Sequence, residues 1–163
     1  MNTSLINLTA SEAVEGLKKG EFSPLELISA AETRISETEP AINALPTVCF
    51  DRARAYAKSL MKQAKDENMN CRGWLAGLPV AIKDLTDVAG VRTTYGSTIF
   101  KDHVPKTSHP LVTRIEKMGG IIIAKSNTPE FGAGGSTFNE VFGLSLIHIS
   151  EPTRRTPISY AVF

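Results

Sequence analysis

Two short, unbroken apolar runs set the tightest limit on what this chain can become. Residues 78–82, LPVAI, and residues 121–124, IIIA, are continuous rather than alternating, as strands covered on both faces are. Between them, Pro110 opens a helical pattern with Leu111, Val112, Ile115 and Met118 on one face, and Gly119 and Gly120 close it. A strand, a long connection carrying a helix and a second strand make a parallel crossover unit, so the expected class is α/β. In such sheets the ligand crevice lies beyond the carboxyl ends of the strands. Lys83 and Lys125 each fall at such an end.

The first third of the chain is helical in pattern. Thr9 and Glu12 form a capping box that opens a helix over about residues 10–19, ended by Gly20. Ser23, Pro24 and Glu26 supply an N-cap, a proline at the first helical position and a glutamate three residues on. Leu27, Ile28, Ala31 and Ile35 then form one apolar face, and Pro40 is expected to stop the run. The run 44–50, ALPTVCF, reads as a short strand. Asp51 is a candidate cap for a third helix reaching about residue 66, with KQAKDENMNCRG, 62–73, as its frayed exit and surface loop.

With 163 residues, 42% hydrophobic and 21% charged, the chain has the balance of one globular domain, or one piece of a larger one. A net charge of +1, with Lys and Arg spread among Asp and Glu, offers no field to hold a phosphate backbone, so no nucleic-acid partner is expected. No window approaches the roughly 18 apolar residues of a membrane span, and the N-terminus has no secretory pattern; the expectation is a cytoplasmic protein with no membrane partner. Cys49 and Cys71 lack CxxC spacing, and His103 and His109 stand six apart in a loop-like stretch, so neither a disulfide nor a metal site is expected. The oligomeric state is left open.

A lysine ending an apolar strand most simply reaches for water. Desolvated, Lys83 could instead serve as a neutral general base for a hydroxyl, while a close Asp84 would favour the ammonium; the outcome depends on where each side chain points. The residues around it decide which reading to follow. GLPVAIKDLTDVAGVRTTYGS, 77–97, and AKSNTPEFGAGGSTFNEVFG, 124–143, resemble two successive blocks of the amidase signature family. SPLELISAAETRISETEPAINALPTVCFDRARA, 23–55, is similar to that family's helical entrance.

The resemblance implies the N-terminal, incomplete part of the amidase-signature fold, a mixed central sheet flanked by helices. It also implies an amidohydrolase that cleaves carboxylic amides with a nucleophilic serine, a second serine in a cis peptide, and Lys83 as the base that takes the bridging serine's proton. An acyl-enzyme forms and is hydrolysed, with backbone N–H groups at the oxyanion and no metal or organic cofactor. The implied partner is a small-molecule amide. Both family serines lie in glycine- and serine-rich motifs downstream of Gly143, so Ser136 is not the nucleophile and the chain as given is expected to be inactive. Gly132, Ala133 and Gly134 are candidate walls of the substrate pocket, because small residues let backbone approach a substrate; a turn with no ligand contact is the plain alternative.

Two other functions stay open. The A subunit of a tRNA-dependent amidotransferase shares the signature and releases ammonia from glutamine, although that subunit usually reads TT-Cys-x-Ser where this chain has TTYGS at 93–97. A non-catalytic binding module would explain the missing serines. The tail explains them differently: LSLIHISEPTR, 144–154, and ISYAVF, 158–163, match the translation of a sequencing-library adapter. The expected organisation is therefore an amidase-signature portion over 1–143 and a non-native tail over 144–163, excluded from fold reasoning. Removing Glu151, Arg154 and Arg155 takes away a net +1 and leaves residues 1–143 formally neutral.

Overall fold

The computed structural model describes residues 5–63 and 71–148. In chain order the elements are α1 (Ala10–Lys19), α2 (Pro24–Ile42), β1 (Thr47–Val48), α3 (Phe50–Gln63), β2 (Pro79–Lys83), α4 (Pro110–Lys117), β3 (Ile121–Ser126), and a small hairpin of β4 (Phe138–Asn139) and β5 (Gly143–Leu144). The main sheet has the order β1-β3-β2. β2 runs parallel to β3, with Pro79 opposite Ile121, and β1 runs antiparallel, with Thr47 opposite Lys125. The crossover through α4 is thus present, in a mixed sheet flanked by helices.

Local chemistry sets most helix ends. Thr9 and Ser23 each accept a hydrogen bond from the backbone N–H three residues on, and Glu12 and Glu26 reach back to the cap, so both capping boxes close. Asn43, not Pro40, ends α2: it takes a left-handed conformation at φ 52°, and its N–H reaches Glu39 O at 2.8 Å. Pro40 sits inside the last turn, where losing one N–H forfeits a single helical bond and need not end the helix. Asp51 also departs from expectation. α3 starts at Phe50, with Cys49 O accepting from Ala53 N, so Asp51 lies within the first turn, where its charge favours the helix N-terminus. Residues 64–66 of the expected helix, and most of the expected loop, lie outside the described residues.

β3 is the buried spine. On one side Ile121, Ile123 and Ala124 pack with Ile28 of α2 and Ala53, Ala57 and Leu60 of α3; on the other, Ile122 packs with Ile82, Val88, Val91 and Val112. Cutting Ile122 back to Ala would cost about 2–5 kcal/mol through lost transfer energy and the cavity left behind. β2, expected to be covered on both faces, is instead an edge strand: Ile82 is buried while Ala81 and Lys83 are exposed. Leu111 also departs from the expected apolar face of α4 and is exposed, while Val112 is fully buried.

An irregularity in the β2–β3 ladder determines what the strand ends present. Val80 pairs with Ile122 but Ala81 pairs with Ala124, so Ile123 is an extra residue on β3. Beyond it the alternation shifts by one. Lys125 becomes the register partner of Ile82 and joins the face that packs on Val88 and Val91, whereas Lys83 pairs with Ser126 on the opposite face.

The β4–β5 hairpin is anchored on the end of α2. Asn43 Nδ2 donates to Phe142 O at 2.7 Å and to Leu144 O at 3.0 Å, and Asn139 Oδ1 accepts from the backbone N–H groups of Val141 and Phe142. Ser145 is buried, its N–H reaching Thr137 O at 2.9 Å and its hydroxyl Ile42 O at 3.3 Å. The hairpin thus crosses the sequence boundary drawn after Gly143, and residues 149–163 lie outside the described residues.

The capping box of α2 gives a test at the level of a peptide. The backbone and then the side-chain hydrogen bond from Ser23 hold the Glu26 carboxyl below its ordinary 4.5. A carboxyl depressed by helix formation contributes stability above its unfolded value and loses it as pH falls through the depressed one. In a peptide of residues 21–43 followed by circular dichroism, helicity should drop as pH falls below 4.5, and Glu26→Gln should remove part of that drop. Ser23→Ala should lower helix stability by about 1 kcal/mol at neutral pH.

Candidate active site

Lys83 ends β2 on the exposed face, beyond Ala81, at the carboxyl end of a parallel strand where α/β sheets place their ligands. Asp84 turns the other way. Its side chain is 1% exposed, and Oδ2 accepts from Thr94 N at 3.0 Å and from Thr94 Oγ1 at 2.6 Å. Oδ1 faces the ammonium of Lys125, 0% exposed, across 3.2 Å. The carboxylate next to Lys83 in sequence therefore serves the other lysine.

Lys125 also donates to Thr86 O at 2.8 Å and to Thr93 Oγ1 at 2.7 Å, two hydrogen bonds beside the ion pair with Asp84. Burial pushes its pKa down, and the facing carboxylate of Asp84 pushes it back up. This pair is the feature that reading along the sequence misses. Its signal was present in the alternation of adjacent Lys83 and Asp84, which sends them to opposite faces, but the extra residue at Ile123 that re-aims Lys125 has no mark in an unbroken apolar run.

The candidate wall is tied to Lys83 through two tight turns. Tyr95 has φ 53° and Phe131 has φ 50°, and Phe131 N donates to Tyr95 O at 2.7 Å. Gly96, at φ 67°, packs so closely that a Cβ would lie 2.9 Å from Thr128 O, so no larger residue fits there. Gly132, at φ 75°, lies over the side chain of Leu85, two residues past Lys83, and a Cβ would come within 2.7 Å of it. Gly132, Ala133 and Gly134 are all exposed.

Around the turns the rings of Tyr95, Phe100, His103 and Phe131 meet edge to face or stacked. The Tyr95 hydroxyl donates to Asp87 Oδ1 at 2.6 Å, and this bond, with burial, pushes the phenol up to about 12. His103 thus belongs to an aromatic cluster, and His109 Nδ1 caps α4 by accepting from Leu111 N. Among the described residues no three His, Cys, Asp or Glu side chains are grouped to hold a metal ion, and Cys49 and Cys71 are free thiols. No helix among them is long and apolar enough to cross a membrane.

A buried lysine–aspartate pair, an exposed strand-end lysine and a glycine-rich turn thus lie at one end of the mixed α/β sheet. The family described as Amidase matches residues 26–147, and the chain belongs to it. It is 40% identical over 139 residues to the A subunit of the glutamyl-tRNA(Gln) amidotransferase of Natranaerobius thermophilus, covering 85% of this chain and 28% of that protein. Among solved structures, one from a vestigial protein complex bearing on the origins of an s-triazine catabolic enzyme superposes with a TM-score of 0.75 at 31% identity, over 83% of this chain and 30% of that one. A bacterial aryl acylamidase of the amidase signature family superposes with a TM-score of 0.74 at 27% identity, over 85% and 29%. The chain thus spans less than a third of the proteins it matches, and its fold is part of a larger domain.

One expectation is overturned. A small-molecule amide as partner, with no nucleic acid, conflicts with the curated relatives, which are named as one subunit of an amidotransferase of glutamyl-tRNA(Gln). The reason is physical. Near-zero net charge over this segment speaks against unspecific phosphate binding by this segment, and says nothing about a tRNA held by another part of the protein or by a partner protein.

Proposed function

We propose that this chain is the N-terminal part of the A subunit of a glutamyl-tRNA(Gln) amidotransferase, releasing ammonia from the amide of glutamine. The observation that carries this reading is the 40% identity across 85% of the chain to a protein of that name. Lys83 is the general base: it takes the proton of a bridging serine, which in turn activates the nucleophilic serine toward the amide carbonyl, and both serines belong to the part of the domain after Gly143. Its exposed position at the end of β2 leaves its amine open to groups from that part. Gly132, Ala133 and Gly134 line the amide's approach. A tRNA-linked reaction supports a cytoplasmic location.

A specific observation favours a second reading, a stand-alone carboxylic amide hydrolase. Tyr95 stands where the amidotransferase protein usually carries cysteine, and its ring joins an aromatic cluster beside the wall. The two readings separate on substrate. In the full-length enzyme carrying this segment, glutamine should be hydrolysed faster than propionamide, and faster still when a glutamyl-tRNA acceptor is present; preference for propionamide would favour the second. In either case Lys83→Ala should lower turnover by at least about a hundredfold with the fold retained, as expected for loss of a positioned base. Lys83→Arg should fail as well, because a guanidinium does not release its proton near neutral pH.

We also read residues 144–163 as translated adapter that replaces the family's serine motifs, so the 163-residue chain itself should hydrolyse no amide. Sequencing the native locus across codon 143 tests this. A GGSSGGS-like motif within roughly 10–25 codons is expected, because the family's blocks run unbroken up to Gly143. A genomic LSLIHISEPTR at that place would refute it.

A further inference from the structure

We propose that Lys125 is a positioning residue for Lys83, acting through the backbone that brackets it; the inference rests on the reading of Lys83 as the general base. The segment after Lys83 leaves the sheet in a tight turn, with Thr86 N donating to Lys83 O at 3.0 Å. Lys125 grips the far side of that turn by donating to Thr86 O at 2.8 Å. It grips the near side through the Asp84 carboxylate at 3.2 Å, and Asp84 N donates to Ser126 O at 3.0 Å. Lys83 is thereby fixed on both sides by bonds that converge on one buried ammonium and its own strand.

The same ammonium locks the returning loop, donating to Thr93 Oγ1 at 2.7 Å, while Tyr95 N donates to Asp84 O at 3.0 Å. Nothing in this arrangement brings Lys125 to the substrate. It lies on the α4 side of the sheet, fully buried and out of reach of the face that carries Lys83. Burial strains its charge, and the two hydrogen bonds and the ion pair answer that strain only while the turn keeps its shape. The interaction is therefore suited to fixing geometry, where a displacement of about 1 Å at a catalytic group can cost on the order of a hundredfold in rate.

The test uses the full-length enzyme and whichever of glutamine and propionamide the wild type hydrolyses faster. Lys125→Met should lower kcat at least about tenfold with KM within about threefold, because ground-state binding does not run through Lys83. Lys125→Met in the Lys83→Ala background should fall within about twofold of Lys83→Ala alone, since residues acting as one unit are not additive. A lone buried carboxylate can unfold the chain, so Asp84→Asn/Lys125→Met, which removes both charges, is measured beside it and should show the same loss of kcat at a wild-type thermal midpoint. Wild-type kcat in either folded variant overturns the inference, and so do losses that multiply in the combined variant, which mark ordinary structural damage. Full turnover in Lys83→Ala would instead overturn the role of Lys83, and the positioning role with it.

Discussion

A charge pair taken out of water together is the constraint on which the sheet end depends. An ammonium and a carboxylate held fully buried repay their desolvation only with good geometry and with every remaining donor satisfied. Thr86, Thr93 and Thr94, residues of one loop, supply hydrogen bonds to the pair, while among the described residues Asp84 Oδ1 has no hydrogen bond and faces the ammonium as an ion pair at 3.2 Å. Deleting one partner of such a pair costs about 3–5 kcal/mol, against about 0–1 kcal/mol for an exposed pair such as Arg34 and Glu37. The loop from Thr86 to Ser97 is thus held by electrostatics as much as by Val88 and Val91, and its left-handed Tyr95, a strain on the order of 1–3 kcal/mol, is carried by that hold.

Two turns share the strain rather than one. Tyr95 and Phe131 both sit in the left-handed region without being glycine, and one hydrogen bond joins them. Each turn restrains the other, and Gly96 and Gly132 supply the close approaches that bulkier residues would block. The backbone of both turns is thereby fixed by contacts within the segment itself.

Elements whose cause is local were legible in the sequence. The caps at Thr9 and Ser23 and the ends at Gly20 and Gly119 follow from residues within a few positions of each other, and the parallel crossover through α4 from the order of the elements. What depends on distant parts was not legible. Pro40 misleads because Asn43, which ends the helix, takes its role partly from the hairpin it bonds across 99 residues. The exposed face of β2 is hidden in the same way, since an apolar run does not say which neighbours are present to cover it. Lys83 and Lys125 both fall at strand ends in the sequence, but the pairing of Lys125 with Asp84 depends on the extra position at Ile123, which turns it to the other side.

The pairing of β1 with β3 carries a consequence for how the chain is made. Thr47 meets Lys125, and Asn43 meets Phe142, so the strand beside α2 has no partner until most of this segment has been synthesised. At about 5–20 residues per second, α1, α2 and α3 leave the ribosome seconds before β3 does. Their early contacts, such as Ile28 with Ala53 and Ala57, are close in sequence and carry a small loop-closure cost. The helical entrance can therefore form as a waiting half-core, on whose open apolar side Ile121 and Ile123 of β3 later settle and close the sheet.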